Sequence, residues 1–222
     1  GGRHHEPATE AVEQLAAAVR ETVDGRGVLL IPSFAVGRTQ EIVWHLDRLL
    51  SAGEIPHVPL YLDSPMASLA SDIYRQHPGY YDDETSRLLE TGETPLDYPG
   101  AIVADTVRRS RAIATAPRPM IIVASSGMLT GGRVLNHLAD LIDDPAMTLL
   151  FVGYQGQGTL GAHIQDGAPT VKLEGAQREV RCRIRTIDGF SGHADETELL
   201  DWLAHFARAE RKPQRGFLVH GD

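Results

Sequence analysis

Four short runs of mainly apolar residues recur along the chain, and each is bounded by glycine, proline or a polar turn. They occupy positions 27–31, 59–63, 119–124 and 147–153. An apolar run of this length is typical of a strand that is buried on both faces. The segments between the runs, most clearly 9–24 and 39–50, repeat apolar residues at helical spacing. This alternation predicts an α/β fold, a mostly parallel sheet flanked by helices.

The pattern of the chain changes after residue 167. Segments 170–174 and 180–187 alternate apolar and polar residues, which predicts antiparallel strands with one solvated face. Upstream, weaker signals predict a helix over 101–111. Downstream, a helix over 196–209 and a final strand over 216–220 are expected. The change of pattern predicts a domain boundary near 170–178.

Composition limits the function classes. The 222 residues carry 21 Lys+Arg against 30 Asp+Glu, a net charge of −9. Because phosphate neutralisation needs clustered cations, this balance argues against a protein that grips nucleic acid by overall charge alone, although it allows a local phosphate pocket. One cysteine excludes an internal disulfide, and no apolar run approaches the roughly 20 residues that cross a bilayer. We expect a cytoplasmic protein without a membrane span.

Polar turns follow the predicted strands, at the edge of a parallel sheet where ligands bind. The turn after 119–124 begins with Ser125 and Ser126, and the turn after 27–31 ends at Arg38. Backbone N–H groups, hydroxyls and the guanidinium there could cradle a phosphate, although ordinary helix capping explains the serines as well. The glycine-rich turn 153–158 superficially resembles a dinucleotide loop. Its glycine spacing is wrong for that motif, and a tight turn without a ligand is the alternative.

Two histidines are candidates for chemistry. His193 lies in a Gly- and Ser-rich turn before a predicted helix, where it could bind phosphate or act as a general acid. Alternatively, Ser191 or Asp195 caps that helix and His193 is an exposed turn residue. His220 ends an apolar run and could present a nitrogen to a metal, with Asp222 orienting it, or could be an ordinary strand residue. The two do not make a metal site alone, and the sequence has no H-x-H-x-D-H cluster.

Seven segments together resemble the β-CASP group of metallo-β-lactamase-fold nucleases, which process RNA. They cover the chain in order: GGRHHE (1–6), IPSFAVGRTQE (31–41), YLDSPMA (61–67), ASSGMLTGGR (124–133), FVGYQGQGTLG (151–161), IDGFSGHAD (187–195) and FLVHGD (217–222). The resemblance implies a β-CASP domain over 1–175 and, over 176–222, a short αβ segment of a metallo-β-lactamase domain. The family's amino-terminal catalytic half is missing from the sequence. We therefore expect both ends to lie inside a longer nuclease.

The resemblance also implies roles for single residues. His193 matches the family histidine that faces the scissile phosphate, and His220 matches a ligand to one of two zinc ions. Arg38, Ser125 and Ser126 fall in segments that line the RNA cleft. The implied function is to clamp single-stranded RNA in a zinc-dependent ribonuclease, of endo- or exonuclease mode. We expect the isolated chain to bind no zinc and to be inactive.

The resemblance implies one protein partner, the remainder of the metallo-β-lactamase domain. The sequence also leaves a homo-oligomer open and does not give the oligomeric state. Two alternative functions stay open. One is a non-catalytic RNA-binding or scaffold module of a processing complex, and the other is a nucleotide-binding α/β enzyme.

Overall fold

The computed structural model describes residues 4–94, 96–208 and 212–217. Within these residues the strands are β1 (Val28–Pro32), β2 (Leu60–Asp63), β3 (Ile102–Val103), β4 (Met120–Ala124), β5 (Met147–Phe151), β6 (Thr170–Leu173), β7 (Ala176–Glu179) and β8 (Arg183–Thr186). Six of them form one sheet in the order β3-β2-β4-β1-β5-β8, and every neighbouring pair is parallel. A separate antiparallel hairpin joins β6 to β7. The predicted α/β architecture is confirmed.

Helices cover both faces of the sheet. In the same described ranges they are α1 (Ala8–Asp24), α2 (Arg38–Ser51), α3 (Pro65–Gln76), α4 (Asp83–Glu90), α5 (Val107–Ala112), α6 (Val134–Leu141), α7 (Leu160–Gln165) and α8 (Glu196–Arg208), with short 3₁₀ turns at Pro78–Tyr80 and Ile113–Thr115. No helix of the described chain is long and apolar enough to cross a membrane.

The core has two layers because the central strands bury both of their faces. Leu29 and Ile31 of β1 pack in one cluster with residues of α1 and α2, whereas Leu30 packs in a second cluster with residues of α6 and α7. All five residues of β1, β4 and β5 are buried. Each such side chain contributes about 1.5–3 kcal/mol by leaving water. The continuous apolar runs are thus explained by burial on both sides.

The prediction of antiparallel strands over 180–187 is wrong. β8 is an edge strand of the main sheet and runs parallel to β5, with Thr148 opposite Arg183 and Phe151 opposite Thr186. Alternation of apolar and polar residues indicates that one face is solvated, and it carries no information about strand direction. The antiparallel prediction is correct for 170–174, where β6 pairs with β7. The division of the chain at 175/176 stays a prediction.

Two further predictions from the sequence, a helix over 101–111 and a strand over 216–220, differ from the structure. Residues 101–111 are not one helix, because Ile102–Val103 forms the edge strand β3. Thr106 then accepts a hydrogen bond from Arg109 N at 3.2 Å, so α5 begins only at Val107. The final strand predicted over 216–220 falls largely outside the described residues, and the two residues that are described, Gly216 and Phe217, form no strand.

Candidate functional site

A cavity of about 560 Å³ opens at the carboxyl edge of the sheet, where the loops after β1, β4, β5 and β8 meet. Arg38 and His193 both line it, and they are its two basic residues. In the part of the chain that the structure describes, no aspartate or glutamate lines this cavity. Two aromatic rings of the lining are about half exposed, Phe34 at 48% and Tyr154 at 52%. We call this site the Arg38–His193 cavity.

The loop that carries His193 is anchored at its base. Phe190 is 2% exposed, and its ring lies 4.9 Å from the His45 ring. Glu6 Oε1 accepts hydrogen bonds at 3.0 Å from the backbone N–H groups of Asp188 and Gly189. A Cβ at position 189 would lie 2.7 Å from Ala11 Cβ, so only glycine fits there. These contacts hold the loop against the core and leave His193 exposed at the cavity.

Arg38 begins α2 and forms an ion pair with Glu41. Burial raises the pKa of Glu41, although the Arg38 guanidinium opposes that effect. Burial and the nearby Arg38 charge lower the pKa of His45 to about 4. His45, which does not line this cavity, is therefore neutral at pH 7, whereas the charged Arg38 lines the cavity. Its side chain is 14% exposed, so a ligand would meet the guanidinium in a partly dehydrated place.

Ser125 and Ser126 lie in the neighbouring loop and are not among the residues that line the cavity, whereas Gly127 and Met128 are. Ser125 Oγ donates to Ser64 Oγ at 3.0 Å, and Ser126 Oγ accepts from Thr130 N at 3.1 Å. The two hydroxyls thus hold the loop together. The structure brings Arg38 and His193 to one cavity, and it brings the serines beside that cavity.

Gln155 ties the loop after β4 to the loop after β5. Its Nε2 donates to Gly127 O at 2.9 Å, and the residue is 7% exposed. A Cβ on Gly161 would lie 1.8 Å from Gln155 Oε1, so the small residue makes room for the amide. On the other side of this loop the glycine-rich turn 153–158 lines a second cavity of about 700 Å³, together with His163 and Asp166.

A buried polar network at the end of β2 was missed by the sequence analysis, which placed Asp63 at the end of the run 59–63 and gave it no role. Asp63 is fully buried, and its carboxylate lies 2.7 Å from Arg133 Nη1, 2.7 Å from His137 Nε2 and 2.5 Å from Ser110 Oγ. Burial alone would raise the pKa of Asp63. The hydrogen bonds from these three donors outweigh burial and hold the pKa below its usual value. An acidic residue at the end of a buried strand was the available signal.

The described residues do not fit a two-zinc centre. Their one group of three metal-ligand side chains is His5, Asp195 and Glu198. Asp195 Oδ1 accepts from Glu198 N, Asp195 Oδ2 accepts from His5 N, and Glu198 Oε2 accepts from Asp195 N. The two hydrogen bonds between Asp195 and Glu198 form a helix capping box for α8. Capping by Asp195 is the alternative that the sequence left open. His220 lies outside the described residues.

Comparison with known proteins finds two family models. The model described as "Beta-Casp domain" matches residues 39–164, more than half of the chain. The model described as "Zn-dependent metallo-hydrolase RNA specificity domain" matches residues 177–222. Both matches lie in the order that the motif segments predict.

Curated relatives match along nearly the whole chain. Ribonuclease TTHA0252 of Thermus thermophilus is 40% identical over 222 residues, which are 100% of this chain and 49% of the relative. Transcription termination factor FttA of Methanosarcina mazei is 34% identical over 219 residues, 96% of this chain and 34% of the relative. FttA of Thermococcus kodakarensis is 35% identical over 222 residues, 97% of this chain and 34% of the relative.

The chain therefore spans about half or less of the length of these relatives. The parallel sheet, the two matched models and the relatives agree with one another, and the resemblance drawn from the motifs is confirmed. The chain belongs to the β-CASP family of RNA-processing nucleases.

Proposed function

We propose that this chain is the RNA-clamping part of a zinc-dependent ribonuclease, and that single-stranded RNA binds in the Arg38–His193 cavity. One observation carries the proposal. In a chain of net charge −9, this cavity is lined by two basic residues and, in the described ranges, by no carboxylate. Such a site attracts phosphate locally even though the protein as a whole repels it.

The proposed binding mode uses both charge and stacking. Arg38 pairs with a phosphate, and the exposed rings of Phe34 and Tyr154 stack on bases, as aromatic residues do in single-strand sites. Ser125 and Ser126 belong to the same phosphate site, where their hydroxyl contacts hold Gly127 and Met128 in the cavity wall. Family membership and the names of the relatives support a nuclease and an RNA ligand.

His193 is the proposed catalytic residue of this chain. From the cavity it would donate a proton to the oxygen that leaves phosphorus when the phosphodiester bond breaks. His220 is the proposed zinc ligand. We further propose that these 222 residues alone cleave no RNA, because the sequence has no H-x-H-x-D-H cluster and one proposed ligand does not make a two-zinc centre.

Binding is tested by fluorescence anisotropy with a labelled single-stranded oligouridine. We expect Phe34→Ala to weaken binding by about 1–3 kcal/mol, the usual value for one stacked base. Tyr80→Ala is the matched control, because Tyr80 is an exposed ring that does not line this cavity. Equal affinities of Phe34→Ala and the unchanged protein would contradict the assigned site.

Cleavage is tested in the natural full-length protein with His193→Gln. Loss of a general acid lowers a rate by about 10²–10⁴-fold, and oligouridine binding should stay within about twofold. If cleavage is unchanged, the role of His193 is wrong. If the full-length protein binds RNA and shows no cleavage even without substitution, the non-catalytic scaffold alternative holds.

The nucleotide-binding alternative has its own observation, the cavity of about 700 Å³ beside the glycine-rich turn. Calorimetry with ATP or NAD tests it directly. Heat of binding at micromolar concentration would favour nucleotide binding over RNA binding. The absence of heat would exclude the nucleotide-binding alternative.

Packing against the remainder of a metallo-β-lactamase domain is part of the proposal. It is supported by large apolar side chains of α8 that are at least half exposed, namely Leu199, Leu200, Trp202 and Leu203. Exposed apolar patches of this kind commonly mark interfaces. Homo-oligomer formation and the cytoplasmic location stay predictions.

A further inference from the structure

A second groove opens beside α2, where the chain turns from α3 into α4. Two adjoining cavities of about 420 and 370 Å³ share Tyr74, Tyr80 and Tyr81, and Trp44 lines the larger one. Tyr80 is 90% exposed and Tyr74 is 37% exposed. We call these four residues the aromatic groove. It does not include His193 or the loops after β4 and β5, so it is separate from the Arg38–His193 cavity.

The rim of the aromatic groove is acidic. Glu41, Asp82 and Glu84 line it, and no lysine or arginine in the described part of the chain does. Hydrogen bonds from Thr85 hold the pKa of Asp82 below its usual value, so this carboxylate is ionised at pH 7. A phosphate chain would be repelled here, whereas a cation would be attracted both by the carboxylates and by the faces of the rings.

The nearest guanidinium groups neutralise one of the three rim carboxylates and leave the other two. Arg75 already pairs with Asp72 and Asp97, outside the groove. Arg38 pairs with Glu41, which is the neutralised rim carboxylate. Asp82 and Glu84 therefore keep their charge available to a ligand.

The wall of the groove holds polar atoms without partners. Gln40 is 3% exposed and lines the larger cavity, where its Nε2 donates to Ala35 O, Ala67 O and Ser71 Oγ. Its Oε1 accepts no hydrogen bond from any residue that the structure describes. Nor does Trp44 Nε1 find an acceptor among those residues. A buried polar atom left unpaired destabilises the protein, so a ligand that pairs both atoms gains affinity from those contacts.

A peptide arginine satisfies each of these features. Its planar guanidinium stacks on aromatic rings and carries five N–H donors, which suit Gln40 Oε1 and the rim carboxylates. The carbonyl groups of the same peptide offer an acceptor for Trp44 Nε1. We propose that the aromatic groove binds an arginine side chain from an extended segment of a basic partner protein.

The surface next to the groove suits the rest of such a partner. Met66, Leu69 and Ile73 lie on one stripe of α3 and are 65%, 66% and 57% exposed. Ile73 also lines the smaller cavity of the groove. An apolar stripe continuous with a charged anchor site is a common arrangement in protein interfaces, where a few aromatic and arginine contacts dominate the affinity.

The test measures the binding of a labelled octapeptide of alternating glycine and arginine by fluorescence anisotropy. Two matched peptides carry lysine or citrulline in place of arginine. Citrulline keeps the shape of the arginine side chain and removes its charge. We expect the arginine peptide to bind more tightly than the lysine peptide, and the citrulline peptide to bind at least about tenfold more weakly.

Variants locate the site. Tyr80→Ala should weaken the arginine peptide about two- to fivefold, the range expected for one exposed cation–π contact. Glu84→Gln should weaken it by a similar factor, whereas Glu10→Gln, the same charge change on an exposed residue of α1, should have no effect. Tyr80 and Glu84 are exposed, so these changes leave the fold intact.

Three results would overturn the proposal. One is equal affinity for the arginine and citrulline peptides. Another is equal loss with Glu84→Gln and Glu10→Gln, which would indicate attraction by overall charge. The third is that Tyr80→Ala weakens the binding of oligouridine and leaves the affinity for the arginine peptide unchanged. That result would make the groove a base-stacking surface. The outcome is independent of the proposed RNA cavity, because Phe34→Ala should leave peptide binding unchanged.

Discussion

Replacement of Asp63 by asparagine tests whether the buried network at the end of β2 holds the loops of the site together. The carboxylate is fully buried and accepts from Arg133, His137 and Ser110 at 2.5–2.7 Å. An asparagine at this position places an N–H₂ group against donors and leaves the Arg133 charge without its partner. Removing one partner of a buried ion pair costs about 3–5 kcal/mol, and we expect the free energy of unfolding to fall by that amount.

Urea unfolding followed by circular dichroism measures the change. Asp72→Asn is the matched control, because it breaks an ion pair with Arg75 in which both side chains are well exposed, and such pairs contribute about 0–1 kcal/mol. If Asp63→Asn costs no more than Asp72→Asn, the network does not stabilise the fold as argued.

The same substitution predicts a change in acid stability. The pKa of Asp63 is lower in the folded protein than in the unfolded chain, where it is about 3.9. The unfolded chain therefore binds the proton first, and the contribution of Asp63 is complete above that value and lost as the pH falls below it. Between pH 5 and 2 the unchanged protein should lose more stability than Asp63→Asn. Parallel pH profiles of the two proteins would refute the assignment.

Two further predictions concern a glycine and the cysteine. Gly132→Ala should destabilise the protein by about 1–3 kcal/mol, because residue 132 has φ +81° and the new Cβ would lie 2.2 Å from Ser125 O. Gly131→Ala is the control. A Cβ there has no atom within 4 Å, so this substitution should cost much less in the same urea assay. Cys182 is buried, and burial raises its pKa to about 11, so the thiol should react with a disulfide reagent at pH 8 only after unfolding. Rapid reaction in the native state would contradict its burial.

The class of fold could be predicted from the chain because each signal was local. A continuous apolar run such as 119–124 fits a strand with both faces buried, and helical spacing in 39–50 fits α2. The motif segments also indicated the family, and the resemblance assigned Arg38 to an RNA cleft and His193 to the scissile phosphate. Both residues line one cavity because the ends of parallel strands meet at the same edge.

Other features depended on contacts between distant segments. The direction of β8 follows from its pairing with β5, which alternation in 180–187 does not report. The hydroxyls of Ser125 and Ser126 bond to Ser64 and Thr130, so their role in the loop is decided by neighbours rather than by their own positions.

What the sequence alone determined was the layered α/β architecture and the motif residues, because apolar periodicity and turn composition are properties of neighbouring residues. Only the tertiary structure decided the Asp63 network, which joins β2 to α5 and α6, and the aromatic groove, which joins α2 to the turn between α3 and α4. The physical reason is the same in both cases. Burial, pairing and pKa depend on which side chains meet in space, and those partners lie far apart along the chain.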